Sequence, residues 1–319
     1  MVAPLAALKG EKPPAPAWFE RALQQVPQRR LVPVDGAGIE MLTWGEVGRP
    51  GLLFLHGSGA HADWWSFIAP LFASDYRVAA LSWSGMGGSQ WRDTYSMDRF
   101  VHEALAVADA AGLMAGPVKP VFVAHSFGGF PTMACAARNG DRLRAVVLVD
   151  VPMMTPEQRK ARKSSRGPGR TGRPNRVYPT LAAAMTRFRF APDQPCENLY
   201  IADHIARTSL QPAALPDGGG QGWTWRFDPF MWRDFRIGNP PADLAAACCP
   251  VAIAWGSDSR LADRSVVAYM KGLAPAGAPM IEIPAAHHHV MVDQPLAFVT
   301  ALRGLLAGWP AVAPRDSNF

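Results

Sequence analysis

The stretch that decides the fold is Val121–Gly129, which reads VFVAHSFGG. It opens as an apolar run of the kind that forms a strand buried on both faces, and residues 131–138 behind it are helical in pattern. Between the two, the small residues Ala124 and Gly128 allow strand and helix to approach closely around Ser126. Such a turn lifts a serine hydroxyl off the sheet, to a helix N-terminus that stabilises developing negative charge. The stretch therefore predicts a nucleophilic serine on an α/β scaffold.

Short runs rich in Val, Ile, Leu and Ala recur on both sides of this stretch, and helical patterns alternate with them. The predicted strands are Arg30–Val34, Ile39–Gly45, Leu52–Leu55, Val78–Trp83, Val121–Ala124, Ala145–Val149, Val251–Trp255 and Met280–Ile283. The predicted helices are Trp18–Gln25, Asp63–Phe72, Met97–Ala111, Pro131–Arg138, Asp263–Leu273 and Gln294–Trp309. Strand alternating with helix predicts an α/β fold with a mostly parallel, doubly wound sheet.

The alternation stops after residue 150 and resumes at residue 251. The segment between, residues 151–249, leaves the carboxyl end of a strand, the edge where open α/β sheets bind ligands. We therefore predict a lid or cap over 151–249 and a core made of 31–150 and 250–319, preceded by an irregular lead-in over 1–30.

The composition restricts the class of protein. Hydrophobic residues make up 49% of the 319-residue chain and charged residues 18%, which excludes a disordered, solvated chain. No apolar run approaches the roughly 18 residues that a membrane-spanning helix needs. The start of the chain lacks a charged leader before its short apolar stretch, and the four cysteines show no C-x-x-C spacing. We therefore expect a cytoplasmic protein with reduced thiols and no membrane span.

Positive charge is concentrated in one segment. Residues 151–176 hold eight basic side chains against Glu157 alone, a net charge of +7, so the rest of a chain of net charge +6 carries about −1. The basic residues of 159–176 are not interleaved with the aromatic residues on which nucleic-acid bases stack. We interpret the segment as a solvated loop and predict no nucleic-acid partner; an anionic partner is the alternative.

A second motif follows the strand Leu52–Leu55 and reads His56-Gly57-Ser58-Gly59. The tetrahedral intermediate of acyl transfer needs two N–H donors aimed at its oxyanion. We predict these donors to be the backbone N–H groups of Phe127, the residue after the nucleophile, and of Ser58, with that of Gly59 as the alternative. The side chain of His56 is expected to be structural.

A third motif, His287-His288-His289, follows the last predicted strand. A serine hydroxyl needs a general base, and imidazole suits neutral pH. A metal site is the alternative, but neighbours in sequence point in divergent directions and carboxylate or cysteine ligands are absent nearby. We predict one catalytic histidine, two bystanders and no metal.

In order and spacing, the three motifs resemble those of the α/β-hydrolase superfamily, over residues 31–309. In that superfamily the last loop usually reads P-G-A-G-H-x-x-x-x-E-x-P. Aligning it on Pro284 and on Asp293-Gln294-Pro295 places the catalytic histidine at His288; because His287 stands where the pattern has a glycine, a shift by one residue is the alternative. The resemblance also implies that no organic cofactor is needed.

The resemblance raises a question about the acid. Most members place it after the seventh strand, at a position that is Ser259 here, with Asp258 one residue early. A variant found in haloalkane dehalogenases and zearalenone-type lactone hydrolases places it after the sixth strand, some two dozen residues beyond the nucleophile. Asp150 follows Val149 and lies 24 residues beyond Ser126 (150 − 126). We predict Asp150 as the acid and keep Asp258 as the alternative.

The expected activity is therefore two-step acyl transfer to water on a small apolar ester or lactone. The residues expected to contact the substrate are Gly59, Trp64, Met86, Trp223 and Trp225. Three alternatives remain: a carbon–carbon bond hydrolase, a peptidase or amidase, and a non-catalytic ligand-binding protein. A homodimer is left open.

Overall fold

The computed structural model describes residues 3–164, 172–216 and 218–309. Its centre is an eight-stranded sheet made of β1 Gln28–Val34, β2 Ala37–Trp44, β3 Gly51–Leu55, β4 Arg77–Leu81, β5 Val121–His125, β6 Ala145–Val149, β9 Val251–Gly256 and β10 Met280–Ile283. The strands lie side by side in the order β1-β2-β4-β3-β5-β6-β9-β10. From β4 to β10 all neighbours pair in parallel, and β2 runs antiparallel to both β1 and β4. The predicted mostly parallel α/β sheet is confirmed.

Helices cover both faces of the sheet. The α-helices of the described residues are α1 Ala17–Gln24, α2 Met97–Ala110, α3 Gly129–Asn139, α4 Pro156–Ser164, α5 Leu181–Met185, α6 Leu199–Thr208, α7 Pro240–Ala245, α8 Arg264–Leu273, α9 Val290–Asp293 and α10 Pro295–Gly308. Side chains of α2, α3 and α8 belong to the core on one face, and those of α1 and α10 to the core on the other. Successive residues of β3 alternate between these cores: Leu52 and Phe54 enter one, Leu53 and Leu55 the other. A strand buried on both faces is apolar throughout, because each face needs its own packing partner.

The predicted helix Asp63–Phe72 is wrong as a single element. The structure has two short 3₁₀ helices there, Ala62–Trp65 and Ala69–Phe72. The hydroxyl of Ser66 donates to the carbonyl of Asp63 at 2.8 Å, which satisfies the end of the first turn. Pro70 lies at the start of the second turn, where its missing N–H and fixed φ are tolerated. The apolar residues of this stretch therefore reach the core through two turns rather than one helix.

The segment between β6 and β9 contains α4 to α7 and a separate antiparallel hairpin, β7 Leu210–Ala214 paired with β8 Gln221–Trp225. Helix α7 packs against α3 and α8 of the core, although its residues fall within the predicted lid 151–249. Residues 165–171 of the basic segment 159–176, including Arg166 and Arg170, lie outside the described residues, as do residues 310–319 of the predicted core.

Backbone and side-chain bonds fasten this segment to the core. The N–H of Asp228 donates to the carbonyl of Gly85 at 2.7 Å, and its carboxylate accepts from the hydroxyl of Tyr95 at 2.8 Å. The guanidinium of Arg226 lies 3.5 Å from the buried carboxylate of Glu40 in β2. The segment is thus held against the carboxyl edge of the sheet, where the predicted site residues lie. In the part of the chain described here, no helix has the length and hydropathy to cross a membrane.

Candidate active site

Ser126 follows β5 directly and adopts φ +52°, a left-handed conformation that is uncommon for residues other than glycine. The turn depends on small neighbours. A Cβ at Gly128 would lie 2.6 Å from the carbonyl oxygen of His56, and one at Gly129 would lie 2.2 Å from the side chain of Val151. The turn between β5 and α3 therefore packs tightly between the ends of β3 and β6, as the small residues in the sequence predict.

The three predicted polar residues lie in hydrogen-bond contact although they are far apart in sequence. The hydroxyl Oγ of Ser126 lies 2.8 Å from Nε2 of His288, and Nδ1 of His288 lies 2.7 Å from Oδ1 of Asp150. All three side chains are buried. Because the carboxylate favours a proton on Nδ1, Nε2 is free to accept the hydroxyl proton of Ser126.

Two donors, one at the end of β9 and one in the loop after it, bind the carboxylate of Asp150. The N–H of Gly256, the last residue of β9, donates to Oδ2 at 2.9 Å, and the hydroxyl of Ser259 donates to Oδ1 at 2.7 Å. Strands β6 and β9 are parallel neighbours, so the loops after them lie side by side. Asp258 is exposed and accepts from the hydroxyl of Ser257 at 3.1 Å. Of the two acids that the sequence offered, the geometry brings Asp150 to the imidazole.

The loop after β3 approaches the serine from the opposite side. A Cβ at Gly57 would lie 3.0 Å from Cβ of Ser126, so only glycine leaves ordinary contact distance. The N–H of Gly59 donates to the sulfur of Met86 at 3.2 Å, whereas no such bond engages the N–H of Ser58 within the described residues. The geometry therefore favours Ser58 over Gly59 as a donor to bound substrate.

His56 has a structural environment, as the sequence predicts. Its Nε2 accepts the N–H of Trp83 at 3.0 Å, and Nδ1 lies 2.7 Å from the carbonyl oxygen of Gly57. Burial lowers the pKa of His56 to about 3, so the ring is neutral. It joins the loops that follow β3 and β4.

A cavity of about 390 Å³ opens in front of Ser126. Its lining residues come from the loop after β3, the end of β5 and the turn after it, the stretch after α5, the end of α6, the end of β8 and the stretch after it, and the last loop. They are Gly57, Ser58, Gly59, Ala60, His61, Trp64, His125, Ser126, Arg187, Phe188, Arg189, Phe190, Ala191, Ser209, Trp225, Arg226, Phe227, Met231, Trp232 and His289. Of the predicted substrate contacts, Gly59, Trp64 and Trp225 line this cavity.

Two predicted substrate contacts do not lie on the cavity wall, and the expectation for them is corrected. Met86 is fully buried beneath the loop, where its sulfur accepts the N–H of Gly59. Trp223 pairs through its backbone with Tyr178 and packs against the core that includes α5 and α6. Trp223 and Trp225 lie on the same face of β8, so the difference comes from their positions along the strand: Trp225 is its last residue and lines the cavity, whereas Trp223 lies farther back.

Three imidazoles cluster at the base of the cavity. Ring nitrogens of His125, His288 and His289 lie within 4.8 Å of one another. His288 already uses both nitrogens for Ser126 and Asp150, and Nε2 of His125 donates to the carbonyl of His288 at 2.9 Å. Burial, with a smaller contribution from His288, lowers the pKa of His125 well below its usual value. A metal ion would have to displace these bonds, so the donor set fits a hydrogen-bonded site better than a metal centre.

The sequence of the chain matches a known family over most of its length. Residues 52–302 match the profile of the Alpha/beta hydrolase family. The chain belongs to that family. The esterase Rv0045c of Mycobacterium tuberculosis is 24% identical over 276 residues, which cover 86% of this α/β hydrolase and 88% of the relative.

Two further similarities extend the comparison. The 2-heptyl-3-hydroxy-4-quinolone dioxygenase AqdC2 of Rhodococcus erythropolis is 32% identical over 134 residues, 39% of this chain and 46% of the relative. The solved structure of E-2-(acetamidomethylene)succinate hydrolase superimposes with a TM-score of 0.69 at 19% identity, over 88% of this chain and 100% of that one. These matches confirm the predicted α/β-hydrolase fold.

Proposed function

We propose that this α/β hydrolase cleaves carboxylic esters through an acyl-enzyme intermediate on Ser126. The observation that carries the proposal is the hydrogen-bonded chain from Ser126 through His288 to Asp150. A serine hydroxyl becomes nucleophilic when a neutral imidazole accepts its proton as it attacks, and a carboxylate behind the ring stabilises the imidazolium. The esterase relative supports the same reaction class.

The reaction proceeds in two halves. Oγ of Ser126 attacks the ester carbonyl while Nε2 of His288 takes its proton, and the N–H groups of Ser58 and Phe127 stabilise the oxyanion. The imidazolium then protonates the departing alkoxide, which leaves an acyl group on Ser126. A water molecule, deprotonated by His288, attacks this ester, and the imidazolium then returns the proton to Oγ of Ser126 as the carboxylic acid leaves. No cofactor takes part in these steps.

The shape and chemistry of the cavity bear on the substrate. Aromatic side chains, among them Trp64, Phe190 and Trp225, supply much of its wall, which suits an apolar acyl or alcohol part. We propose an ester rather than an amide, since an alkoxide leaves more readily than an amine. The proposal includes lactones, because the proposed acid follows β6, as it does in the zearalenone-type lactone hydrolases.

The test compares the wild type with Ser126→Ala on nitrophenyl esters of increasing chain length and on a panel of aliphatic and macrocyclic lactones. We expect turnover by the wild type and a loss of at least about 1,000-fold in kcat in Ser126→Ala. A fluorophosphonate should label the wild type stoichiometrically on Ser126. A folded wild type that neither labels nor turns over any ester contradicts the proposal and favours a ligand-binding role.

A second candidate has one observation in its favour, the similarity to a protein named as a dioxygenase of a hydroxylated quinolone. A base that removes a proton from such a hydroxyl group yields an electron-rich anion, and His288 is placed to act as a base. Oxygen uptake in the presence of a hydroxyquinolone tests this candidate. Uptake that persists in Ser126→Ala, in the absence of ester turnover by the wild type, would replace the hydrolase proposal.

A further inference from the structure

The cavity contains a second imidazole that the proposed mechanism does not use. His289 lines the cavity and is only 4% exposed, yet neither of its ring nitrogens has a hydrogen-bond partner among the described residues. Buried polar side chains are almost always hydrogen-bonded, because an unpaired one loses its water without compensation. An unpaired imidazole on a cavity wall therefore points to a partner that arrives with the substrate.

Trp64, on the adjoining wall of the cavity, also has a buried polar group without a partner. Its indole N–H is buried and unpartnered, and its ring lies 5.2 Å from that of His289, centroid to centroid. Both residues line the same cavity. Two adjacent polar groups that lack partners form a polar patch next to Phe190, in a wall that also holds arginine, serine and glycine residues.

The charge of His289 is fixed by its surroundings. Burial, with smaller contributions from His288 and His125, lowers its pKa well below the usual value. The backbone of Ala191 has the smallest, opposite effect, and its contact with the ring does not have the geometry of a hydrogen bond. The ring is therefore neutral at physiological pH and offers one N–H donor and one nitrogen acceptor. The indole of Trp64 offers a donor only. Together they suit an uncharged oxygen that accepts from Trp64 and exchanges a hydrogen bond with His289.

The patch lies close to the reacting groups. The rings of His289 and His288 are 4.9 Å apart, and those of Phe190 and His289 5.1 Å apart, so the imidazole is held between the base and an apolar wall. A substrate oxygen bound there would be a few bonds from the carbonyl that Ser126 attacks.

We propose that Trp64 and His289 form a subsite for a hydroxyl or oxo group of the substrate, and that the preferred substrates are hydroxy- or oxo-acyl esters rather than plain alkyl esters. The inference rests on the proposed esterase function and names its substrate class. Sites that hydrogen-bond a substrate hydroxyl reject analogues lacking it, because the buried polar groups are then left unpaired.

The test uses pairs of nitrophenyl esters of equal chain length, octanoate against its 2-hydroxy, 3-hydroxy and 3-oxo derivatives. We expect the wild type to prefer at least one oxygenated ester by about 10-fold or more in kcat/KM. His289→Phe should abolish that preference and Trp64→Phe should reduce it. Met231→Leu, a cavity residue without a polar group, is the matched control and should change both members of a pair equally.

Two results would overturn the inference: a wild type with no preference for any oxygenated ester, or a preference that survives in His289→Phe. If the protein proves not to be an esterase, the subsite is tested separately by calorimetry on Ser126→Ala with octanamide and its hydroxylated and oxo counterparts. This measurement reports binding without turnover. Tighter binding of an oxygenated amide, lost in Ser126→Ala/His289→Phe, would support the subsite even then. Equal binding of all the amides would contradict it.

Discussion

Asp150 is buried behind His288, while Asp258, on the loop after β9, faces solvent. Replacing Asp150 by Asn keeps the volume but removes the charge that stabilises the imidazolium and fixes its tautomer. We expect Asp150→Asn to lower kcat on a nitrophenyl ester by roughly 1,000- to 10,000-fold. Steady-state kinetics with the folded variant measure this loss.

Asp258→Asn is the matched control, because it makes the same chemical change one residue from the position that other family members use. It should leave kcat within about 2-fold of the wild type, since Asp258 makes no contact with the imidazole in the described structure. The reverse pattern, a dead Asp258→Asn and an active Asp150→Asn, would assign the acid to the loop after β9.

The sequence predicted much of the site at the level of single residues. Ser126, His288 and Asp150 come into contact as expected, because each follows a strand whose carboxyl end reaches the same edge of the sheet. His289 was predicted to be a bystander. Its burial and its unpaired nitrogens depend on the stretch after α5 and on Trp64, and no local pattern in the sequence reports such contacts.

At the level of elements, the ends of β6 and β9 lie side by side, and either could carry the carboxylate that contacts His288. Ser259, after β9, donates to the same carboxylate oxygen of Asp150 that binds His288. A carboxylate at position 259 therefore lies next to the imidazole. We expect the double variant Asp150→Asn/Ser259→Asp to recover at least about 10-fold of the kcat lost in Asp150→Asn. Kinetics of the single and double variants measure the recovery.

The single variant Ser259→Asp is the control for this transfer. It places two carboxylates together and should be less stable than the wild type by thermal unfolding, since like charges at close range repel. A double variant no faster than Asp150→Asn, but equally folded, would show that only the end of β6 can supply the acid.

The sequence predicts the strands well where both faces of a strand are buried, and it predicts other elements less well. Strands such as β3 and β6 are apolar throughout and lie within one residue of their predicted bounds. Asp63–Phe72 has the composition of a helix, but Pro70 and the hydroxyl of Ser66 divide it into two turns. The position of α7 on the core depends on its contacts with α8 and with α3, and α3 is distant from it in sequence.

For the whole molecule, buried neutral histidines make stability depend on pH. Burial lowers the pKa of His56, His125 and His289 in the folded chain, whereas the unfolded chain binds protons on them below about pH 6.5. The unfolded state therefore takes up more protons, and the free energy of unfolding is greatest above pH 6.5 and falls as the pH decreases. Each histidine contributes a slope of up to about 1.4 kcal/mol per pH unit.

Urea unfolding at pH 7.5, 6.5, 5.5 and 4.5 measures this dependence, and His289→Phe isolates one group. We expect the variant to lose stability less steeply between pH 6 and 5, by about 1 kcal/mol per pH unit, because one proton-binding site is gone from its unfolded state. An unchanged slope would mean that His289 is protonated in the folded chain.

Ser126 and Asp150 share one backbone feature, a left-handed conformation at φ +52° and +48°. Glycine adopts this region freely, while other residues raise the energy of the native chain there by about 1 kcal/mol or more each. Glycine at position 126 would relieve this strain but remove the nucleophile. At position 150 the relief would be outweighed, because the buried carboxylate of Asp150 binds Gly256, Ser259 and His288. Strain and reactivity are therefore coupled at Ser126, and substitutions meant to raise stability are better directed to other parts of the chain.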